Sequence, residues 1–312
     1  MAVTSRAANA QAIRETDISP FDLAAHAAYA DWRGRKLDTA PRRLEDIVVE
    51  VDDPRRLTDE QRRRLLERNA VANMAVYAGN TGRDADKNIP RLLGLQLGLH
   101  TLDGHWLTDN DGISPLSVMG AEERSERRDF IPYTDKPIRW HTDGYYNTLE
   151  HTIRGLMLHC VQSAASGGDN QLLDHEIAYI LLRDLNPEHI RALSAPAVMT
   201  IPARLDEGGI ARAEQTGPVF SVDGQGFLHM RFTERKKNIT WRQDAATQAA
   251  LAALGRILAT PTPWTLHGRL EPGMGLVCNN VLHDRSGFTE TPDKRRLLYR
   301  ARYYERVSPL ES

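Results

Sequence analysis

A histidine and an aspartate separated by one residue, His141 and Asp143, lie in the segment from Pro137 to Gly144. In an extended chain alternate side chains point to the same face, so this imidazole and this carboxylate can reach one point while Thr142 points away. Such a pair can provide two ligands to one metal ion. His-x-Asp triplets are common, however, and without a further ligand they are more often surface or hydrogen-bonding features.

His283 is a candidate third ligand, because it follows an apolar strand-like run and the turn Glu271-Pro272-Gly273. Two histidines and one carboxylate occupy one face of an octahedral ion and leave three positions open. That arrangement suits Fe(II) in non-haem oxygenases. A redox-inert zinc site with the same ligands is the competing interpretation. His141, Asp143 and His283 therefore have the right ligand types for such a site.

Arginines alternate along the segment that ends at Tyr303. On a strand, Arg296, Arg300 and Arg302 share one face. In one interpretation these arginines lie in water and the opposite face packs in the core. In the other, Arg296 points into the interior, where its guanidinium needs an anion because an unpaired buried charge is costly. A dicarboxylate would meet that need through a bidentate ion pair.

The sequence predicts many short strands and fewer helices. Strands are predicted at 47–51, 152–161, 198–201, 219–222, 227–232, 264–270, 275–279 and 296–305, and helices at 177–185, 188–193 and 245–259. A capping box at Thr58 and Gln61 begins a further helix, which we extend through Val76 to a stop at 80–82. We predict a mostly β protein with helical additions, in an antiparallel barrel or jelly roll.

The order of these motifs resembles the taurine dioxygenase-like (TauD/TfdA) family of Fe(II)/2-oxoglutarate-dependent oxygenases. The motifs are His141-Thr142-Asp143, the turn Gly167-Gly168-Asp169, His283, and Arg296 with Arg300. They extend from 139 to 303, about half of the chain, and their common order is more specific than any one of them. The resemblance implies a double-stranded β-helix (jelly roll) core within a single catalytic domain at 1–312. We expect a loosely ordered arm at 1–20 and a helix-containing insertion at 175–262.

The resemblance also implies roles for these residues. It implies that His141, Asp143 and His283 bind Fe(II), and that Arg296 binds the distal carboxylate of 2-oxoglutarate. Arg300 is implied in binding either the cosubstrate or the substrate. The family often has threonine after the Gly-Gly-Asp turn, and here that position is Asn170, whose amide can donate the same hydrogen bond.

The reaction implied by the resemblance consumes O2 and 2-oxoglutarate, releases succinate and CO2, and hydroxylates an unactivated C–H of a small polar or anionic molecule. Halogenating relatives have a small residue in the place of Asp143, so the carboxylate implies hydroxylation or a related oxidation. Tyr145, Tyr146 and Asn147 follow directly and either line the substrate pocket or pack beneath its rim. The charged run 234–238 is a solvated loop or a lid. Arg212 and Arg231 have no assigned role.

Composition limits the possible partners. With 40 Lys and Arg against 42 Asp and Glu, the formal net charge of −2 does not indicate a nucleic-acid partner. No run approaches the ~20 apolar residues of a membrane span, and the polar N-terminus has no signal-peptide core. Two cysteines, Cys160 and Cys278, predict buried thiols in a reducing compartment. We expect a cytoplasmic protein with a small-molecule substrate, no membrane partner, and a possible homo-oligomer, a dimer or tetramer.

Two other function classes remain open from the sequence. One is a barrel that binds a small anion or a metal without catalysis. The other is a zinc hydrolase on the same ligands, which is less favoured because no obvious general base accompanies the His-x-Asp triplet.

Overall fold

The computed structural model describes residues 18–104, 108–119, 130–206 and 209–307. Its helices are α1 (His26–Thr39), α2 (Asp59–Ala72), α3 (Ile89–Gln96), α4 (His175–Leu185), α5 (Pro187–Leu193) and α6 (Ala245–Ala259). Its strands are β1 (Val48–Val51), β2 (Met74–Gly79), β3 (Ile113–Leu116), β4 (Ile138–His141), β5 (Gly155–Gln162), β6 (Ser166–Gly167), β7 (Asn170–Leu173), β8 (Met199–Ile201), β9 (Arg204–Asp206), β10 (Gly209–Arg212), β11 (Gln215–Gly217), β12 (Phe220–Val222), β13 (Leu228–Met230), β14 (Thr240–Trp241), β15 (Leu266–Gly268), β16 (Met274–Cys278), β17 (Leu282–Arg285), β18 (Phe288–Thr289) and β19 (Leu297–Tyr303). Of the predicted N-terminal arm, residues 1–17 lie outside the described residues.

Two sheets contain the longest strands. The larger has the order β1-β2-β16-β5-β19-β3, and the smaller has the order β15-β7-β17-β4. β1 and β2 run parallel, while the other pairs in these two sheets are antiparallel. The predicted mostly β fold with helical additions is therefore confirmed. Among the described helices, none has both the length and the apolar character needed to cross a lipid bilayer.

The large sheet is covered on both faces. One face packs against the small sheet, and this layer contains Leu156, Leu158 and Leu276 from one sheet with Leu172 and Leu266 from the other. The opposite face packs against α2 and α3. Because successive side chains of a strand alternate, β5, β16 and β19 place mainly apolar residues on both faces. The buried exceptions are His159 on β5 and the arginines Arg300 and Arg302 on β19.

A second core lies along the chain between β7 and β15, where α4, α5 and α6 pack on one another. Asp174 caps α4 by accepting from the backbone N–H of Glu176, and Asp244 caps α6 by accepting from that of Thr247. The predicted helix at 245–259 is confirmed to the residue. The insertion at 175–262 and the single catalytic domain stay predictions.

The predicted helix through Val76 is wrong at its C-terminal end. The capping box at Thr58 and Gln61 is confirmed, but α2 stops at Ala72 and β2 begins at Met74. Asn73 ends the helix in the left-handed region with φ 56°, a conformation that asparagine tolerates. Val76 then pairs with Val48 and Leu276, so the apolar run is buried as a strand inside the large sheet.

Candidate metal centre

The two histidines predicted as metal ligands are direct cross-strand partners. β4 and β17 are antiparallel, and their register pairs His141 with His283. The ring centroids are 4.2 Å apart. Asp143 lies just beyond β4, and ligand atoms of all three residues lie within 4.8 Å of one another. The structure therefore brings the three predicted ligands together at one point.

Both imidazoles are held in the tautomer that a metal ion requires. Nδ1 of His141 lies 2.9 Å from the carbonyl oxygen of Arg139, and Nδ1 of His283 lies 2.9 Å from that of Val281. A carbonyl oxygen only accepts, so each Nδ1 is the protonated nitrogen and donates this hydrogen bond. The backbone therefore occupies each Nδ1, and Nε2 is the nitrogen that each ring presents to a metal ion.

The charge state of the cluster also fits a divalent cation. Burial, assisted by the neighbouring His283, lowers the pKa of His141 to about 3, so this ring is neutral near pH 7. Burial alone would raise the pKa of Asp143, but Arg300 and the two histidines outweigh it and lower that pKa. Oδ2 of Asp143 is buried and accepts no hydrogen bond from the described residues. Two imidazoles and one carboxylate, with an oxygen that accepts no hydrogen bond from the described residues, are the donor set expected for Fe(II) or zinc.

Asn280 ties together the two segments that carry the ligands. Its Oδ1 accepts from the backbone N–H of Asp143 at 2.8 Å, and its Nδ2 donates to the carbonyl oxygens of Asp143 and Ile153 at 2.9 and 2.7 Å. Asn280 is buried and lies three residues before His283. The sequence pattern did not indicate this residue, because its partners lie more than a hundred residues away and leave no periodic signal.

Gly144 makes the turn after Asp143 possible. Its φ is +67°, and a Cβ atom there would lie 2.3 Å from Cγ1 of Ile153. A larger residue would therefore have to displace Ile153 and adopt an unfavourable backbone conformation. Asp143 is thus held by Asn280 on its backbone groups and by a turn that only glycine accommodates without strain.

The predicted arginine face of β19 is real, and it points inward. Arg296, Arg300 and Arg302 are only 6%, 7% and 2% exposed, so the interpretation that these side chains lie in water is wrong. The reason is that β19 is an interior strand between β5 and β3, with the small sheet opposite. Alternation predicted which residues share a face, and the packing decides which face is inside.

Arg296 lies in a cavity between the two sheets. The cavity has a volume of about 230 Å³, and its lining includes Gly168, Asn170 and Arg269. Within the described residues the guanidinium contacts the Phe288 ring, at 5.1 Å, but forms no ion pair. Glu290, the acidic group with the most influence on it, accepts a hydrogen bond from the backbone N–H of Arg296. Burial lowers the pKa of Arg296 to about 10, which leaves it cationic near pH 7.

A neighbouring cavity contains one of the metal ligands. Its volume is about 370 Å³ and it is lined by His283, Asn170, Arg269 and apolar side chains. Asn170 and Arg269 line both cavities. Of these two adjoining cavities, one therefore contains a metal ligand and the other contains a buried cation.

Asn170 lies where the sequence predicts, but one of its donors is used. Its Nδ2 donates to the carbonyl oxygen of Asp284 at 2.5 Å. The second amide N–H is the donor left for a ligand in the cavity. Its role towards a cosubstrate stays a prediction.

Arg300 and Arg302 lie further along β19 and contact different groups. Nη1 of Arg300 lies 3.4 Å from Oδ2 and 3.5 Å from Oδ1 of Asp143. Arg302 forms a buried ion pair with Asp103, and its Nη1 donates to the hydroxyl of Tyr146 at 2.6 Å. The sequence pattern did not indicate Asp103. The choice between cosubstrate and substrate for Arg300 stays a prediction, although its position beside Asp143 separates it from the cavity of Arg296.

The three residues after the ligand pair have mixed surroundings. Tyr145 and Asn147 line a third cavity of about 350 Å³, which Asp143, His229 and Arg231 also line. Arg231 donates to the carbonyl oxygens of Tyr145, Met199 and Gln215, so its guanidinium is occupied by the backbone. Nδ2 of Asn147 donates to the carbonyl oxygen of His151 at 3.0 Å, which is a structural contact. Substrate binding by Tyr145, Tyr146 and Asn147 stays a prediction.

Comparisons with known proteins find one matching family model and two curated relatives. A family model described as "Taurine catabolism dioxygenase TauD, TfdA family" matches residues 42–302. A uridine-5'-phosphate dioxygenase of Amycolatopsis sp is 36% identical over 175 residues, covering 53% of this chain and 60% of the relative. A second, from Streptomyces sp, is 31% identical over 178 residues, covering 54% and 62%. The chain thus spans less than two thirds of the length of these curated relatives.

Solved structures show the same fold at low sequence identity. The non-heme iron oxygenase OrfP in complex with Fe and alpha-ketoglutaric acid has a TM-score of 0.57 and 18% identity, covering 80% of this chain and 81% of that one. An asparagine oxygenase in complex with Fe(II), 2S,3S-3-hydroxyasparagine and succinate has a TM-score of 0.54 and 14% identity, covering 82% and 93%.

Proposed function

The chain belongs to the TauD/TfdA family, and on that basis we propose that it is an Fe(II)- and 2-oxoglutarate-dependent dioxygenase that hydroxylates a small anionic molecule. One observation carries the proposal: two adjoining cavities share Asn170 and Arg269, and one contains His283 of the His-Asp-His cluster while the other contains Arg296, which forms no ion pair with the described residues. That separation suits a cosubstrate that chelates a metal at one end and presents a carboxylate at the other.

In this proposal the residues of the site have distinct roles. His141, Asp143 and His283 hold Fe(II), which when bound supplies the chemistry that converts 2-oxoglutarate and O2 to succinate and CO2 while a substrate C–H is oxidised. Arg296 pairs with the distal carboxylate of 2-oxoglutarate, and Asn170 donates a hydrogen bond to it. Arg300 orients Asp143 and remains available to an anionic substrate. The apolar layer between the sheets excludes water from the cavity.

The two packed sheets support a double-stranded β-helix core, and we propose that architecture, with an insertion at 175–262 within a single catalytic domain. The buried free thiols Cys160 and Cys278 support a reducing, cytoplasmic location. On the basis of the sequence, we also propose a homo-oligomeric state, dimer or tetramer. We propose no nucleic-acid partner and no membrane partner.

For the substrate we propose a phosphorylated small molecule, with uridine 5'-phosphate as the first candidate. The curated relatives are named as dioxygenases of that compound. The arginines near the metal cluster are compatible with an anionic group, and Asp143 leaves no ligand position for a halide, as in a hydroxylating member of the family.

The proposal is tested by measuring succinate release with Fe(II), 2-oxoglutarate and O2 over a panel of uridine 5'-phosphate, uridine, amino acids, sulfonates and betaines. We expect substrate-dependent succinate from the wild-type protein and none above background from His141→Ala or Asp143→Ala. Arg191→Ala, on the exposed surface of α5, is the matched control and keeps full activity. Arg296→Ala keeps the metal ligands and raises the KM for 2-oxoglutarate by at least tenfold.

Turnover that persists in both His141→Ala and Asp143→Ala contradicts the proposal. Binding of 2-oxoglutarate without any O2-dependent product over the whole panel favours a non-catalytic binding protein instead. Metal analysis of the active protein that finds zinc rather than iron favours a hydrolase.

A further inference from the structure

Two arginines of the predicted insertion lie against the tyrosines that follow Asp143. The guanidinium carbon of Arg212 lies 5.6 Å from the centre of the Tyr146 ring. Nη1 of Arg235 donates a hydrogen bond to the hydroxyl of Tyr145 at 3.0 Å. The two tyrosines contact each other edge to face, with centroids 5.2 Å apart. Two cationic side chains therefore lie against the loop that carries a metal ligand.

Neither guanidinium has an acidic partner among the described side chains. Arg212 is partly buried; its Nη2 donates to the carbonyl oxygen of Pro202 at 2.5 Å, while its Nε is buried without a partner. Burial lowers the pKa of Arg212. Among its neighbours, Tyr145 and Tyr146 raise that pKa, whereas Arg204 and Arg235 lower it. Arg212 is a partly desolvated cation without a carboxylate partner among the described side chains, which is costly, and an anion bound there would remove that cost.

The backbone that precedes Arg235 is paired with the strand that carries His141. The backbone N–H of Thr142 donates to the carbonyl oxygen of Phe232 at 3.0 Å, and that of Glu234 donates to Trp140 at 2.9 Å. Thr233 and His141 form a bridge between these bonds. The segment 232–234 is thus paired with β4, and an anion beside Arg235 would lie next to the ligand loop. The substrate carbon that reacts would then be close to the anionic group.

We propose that Arg212 and Arg235, with the Tyr145 hydroxyl, form a subsite for the dianionic group of the substrate, and that this group is a phosphate monoester. A phosphate monoester carries ≈ −1.5 to −2 charges at pH 7, which matches two guanidinium groups. Its tetrahedral oxygens accept from several donors at once, and guanidinium groups bind phosphate bidentately. This inference rests on the proposed function and names the substrate group that the site selects.

The test is equilibrium binding of uridine 5'-phosphate, uridine and inorganic phosphate to the full-length chain, measured by calorimetry without O2 so that no turnover is needed. We expect Arg212→Ala and Arg235→Ala each to weaken binding of uridine 5'-phosphate by at least tenfold and to leave that of uridine unchanged, because only the phosphate contacts are lost. Inorganic phosphate should compete with uridine 5'-phosphate in the wild type and not in the double variant.

Arg235 is exposed, so its replacement does not threaten folding, and Arg212→Lys keeps the charge of the more buried residue while it removes the guanidinium fork. Arg191→Ala removes the same charge from an exposed helix of the insertion and is the matched control. Equal loss of uridine and uridine 5'-phosphate affinity would overturn the subsite, since it would indicate a role in pocket shape. A wild-type protein that turns over an unphosphorylated substrate and binds no phosphate monoester also overturns the subsite, while the proposed oxygenase function stands.

Discussion

At the scale of single residues, the candidate metal centre is organised by hydrogen bonds to backbone atoms. His141 and His283 each donate from Nδ1 to a carbonyl two residues earlier, so the strand that carries each ring also sets its orientation. Asn280 acts on Asp143 in a similar way, through the backbone N–H and C=O of the ligand. The preset geometry therefore depends on residues that do not contact the metal themselves.

Asn280→Ala removes all three hydrogen bonds of that side chain and releases the backbone of Asp143. Replacing a residue that holds a metal ligand through hydrogen bonds typically lowers metal affinity 10–100-fold. We therefore expect Fe(II) affinity to fall by about tenfold or more. Fe(II) titration under anaerobic conditions measures this. Asn280→Asp keeps the acceptor for the N–H of Asp143 but loses both donors, and should be intermediate.

Asn279 offers a control from the adjacent residue. It is also buried, but its side chain binds Asn73 and the backbone N–H of Val307, away from the ligands. Asn279→Ala should lower the free energy of unfolding while the folded protein keeps its Fe(II) affinity. Equal Fe(II) affinities of Asn280→Ala and the wild type would show that Asn280 has only a structural role.

At the scale of elements, β19 contributes side chains both to the core and to the candidate site. Its outward-facing Tyr299, Ala301 and Tyr303 pack in the layer with α2 and α3, while its arginines face the small sheet. The residues 102–103 pair with its end: Leu102 bridges Tyr303, and the N–H of Asp103 donates to the carbonyl oxygen of Arg302. The Asp103–Arg302 ion pair thus anchors the strand that places Arg296 and Arg300.

Asp103→Asn leaves the Arg302 guanidinium buried without a carboxylate partner. Breaking a buried ion pair from one side costs about 3–5 kcal/mol, so the free energy of unfolding should fall by that amount. Urea denaturation measures it. Glu188→Gln breaks the exposed ion pair with Arg191 and should cost less than about 1 kcal/mol. Similar losses in the two variants would contradict a stabilising role for the buried pair.

The sequence predicted elements and residue types better than it predicted partners. Alternation assigned Arg296, Arg300 and Arg302 to one face of a strand, but alternation is symmetrical and does not show which face is inside. The family resemblance implied that His141 and His283 bind one metal ion, but their cross-strand pairing was not predicted, because register between strands so distant in the chain depends on the whole sheet. Asn280 and Asp103 act through such distant contacts and have no local pattern.

The strand β2 was missed for a local reason. Its first residues continue the apolar spacing of α2, so periodicity alone extends the helix. The change depends on a single left-handed asparagine, Asn73, whose side chain bonds Asp174 and Asn279. Neither partner is close in sequence, so the break in the helix was not predictable from the surrounding residues.

At the scale of the whole molecule, several histidines outside the metal cluster are buried and uncharged. His159 is fully buried on β5, with Nδ1 2.9 Å from the hydroxyl of Tyr77. Burial lowers the pKa of His159 to about 4. An ordinary histidine in the unfolded chain has a pKa near 6.5. Between pH 6.5 and 4, His159 therefore binds a proton in the unfolded chain but not in the folded protein.

The sign follows from that difference: the stability of the folded state rises with pH wherever the unfolded state binds more protons. Acidification from pH 7 to pH 5 should cost roughly 2 kcal/mol through His159 alone. His159→Gln should reduce the difference in unfolding free energy between pH 7 and pH 5 by about that amount, measured by urea denaturation at both pH values. An unchanged slope would show that His159 becomes protonated in the folded state as readily as in the unfolded chain.

The backbone pairing of segment 232–234 with β4 has a thermodynamic consequence. A ligand that holds Arg235 also restrains the strand that presents His141, and a metal ion that holds His141 restrains the segment that presents Arg235. We therefore expect binding at the two places to be cooperative, and such cooperativity is reciprocal. Whatever factor the metal adds to substrate affinity, the substrate adds to metal affinity, so the order in which the two ligands arrive does not change the stability of the complete complex.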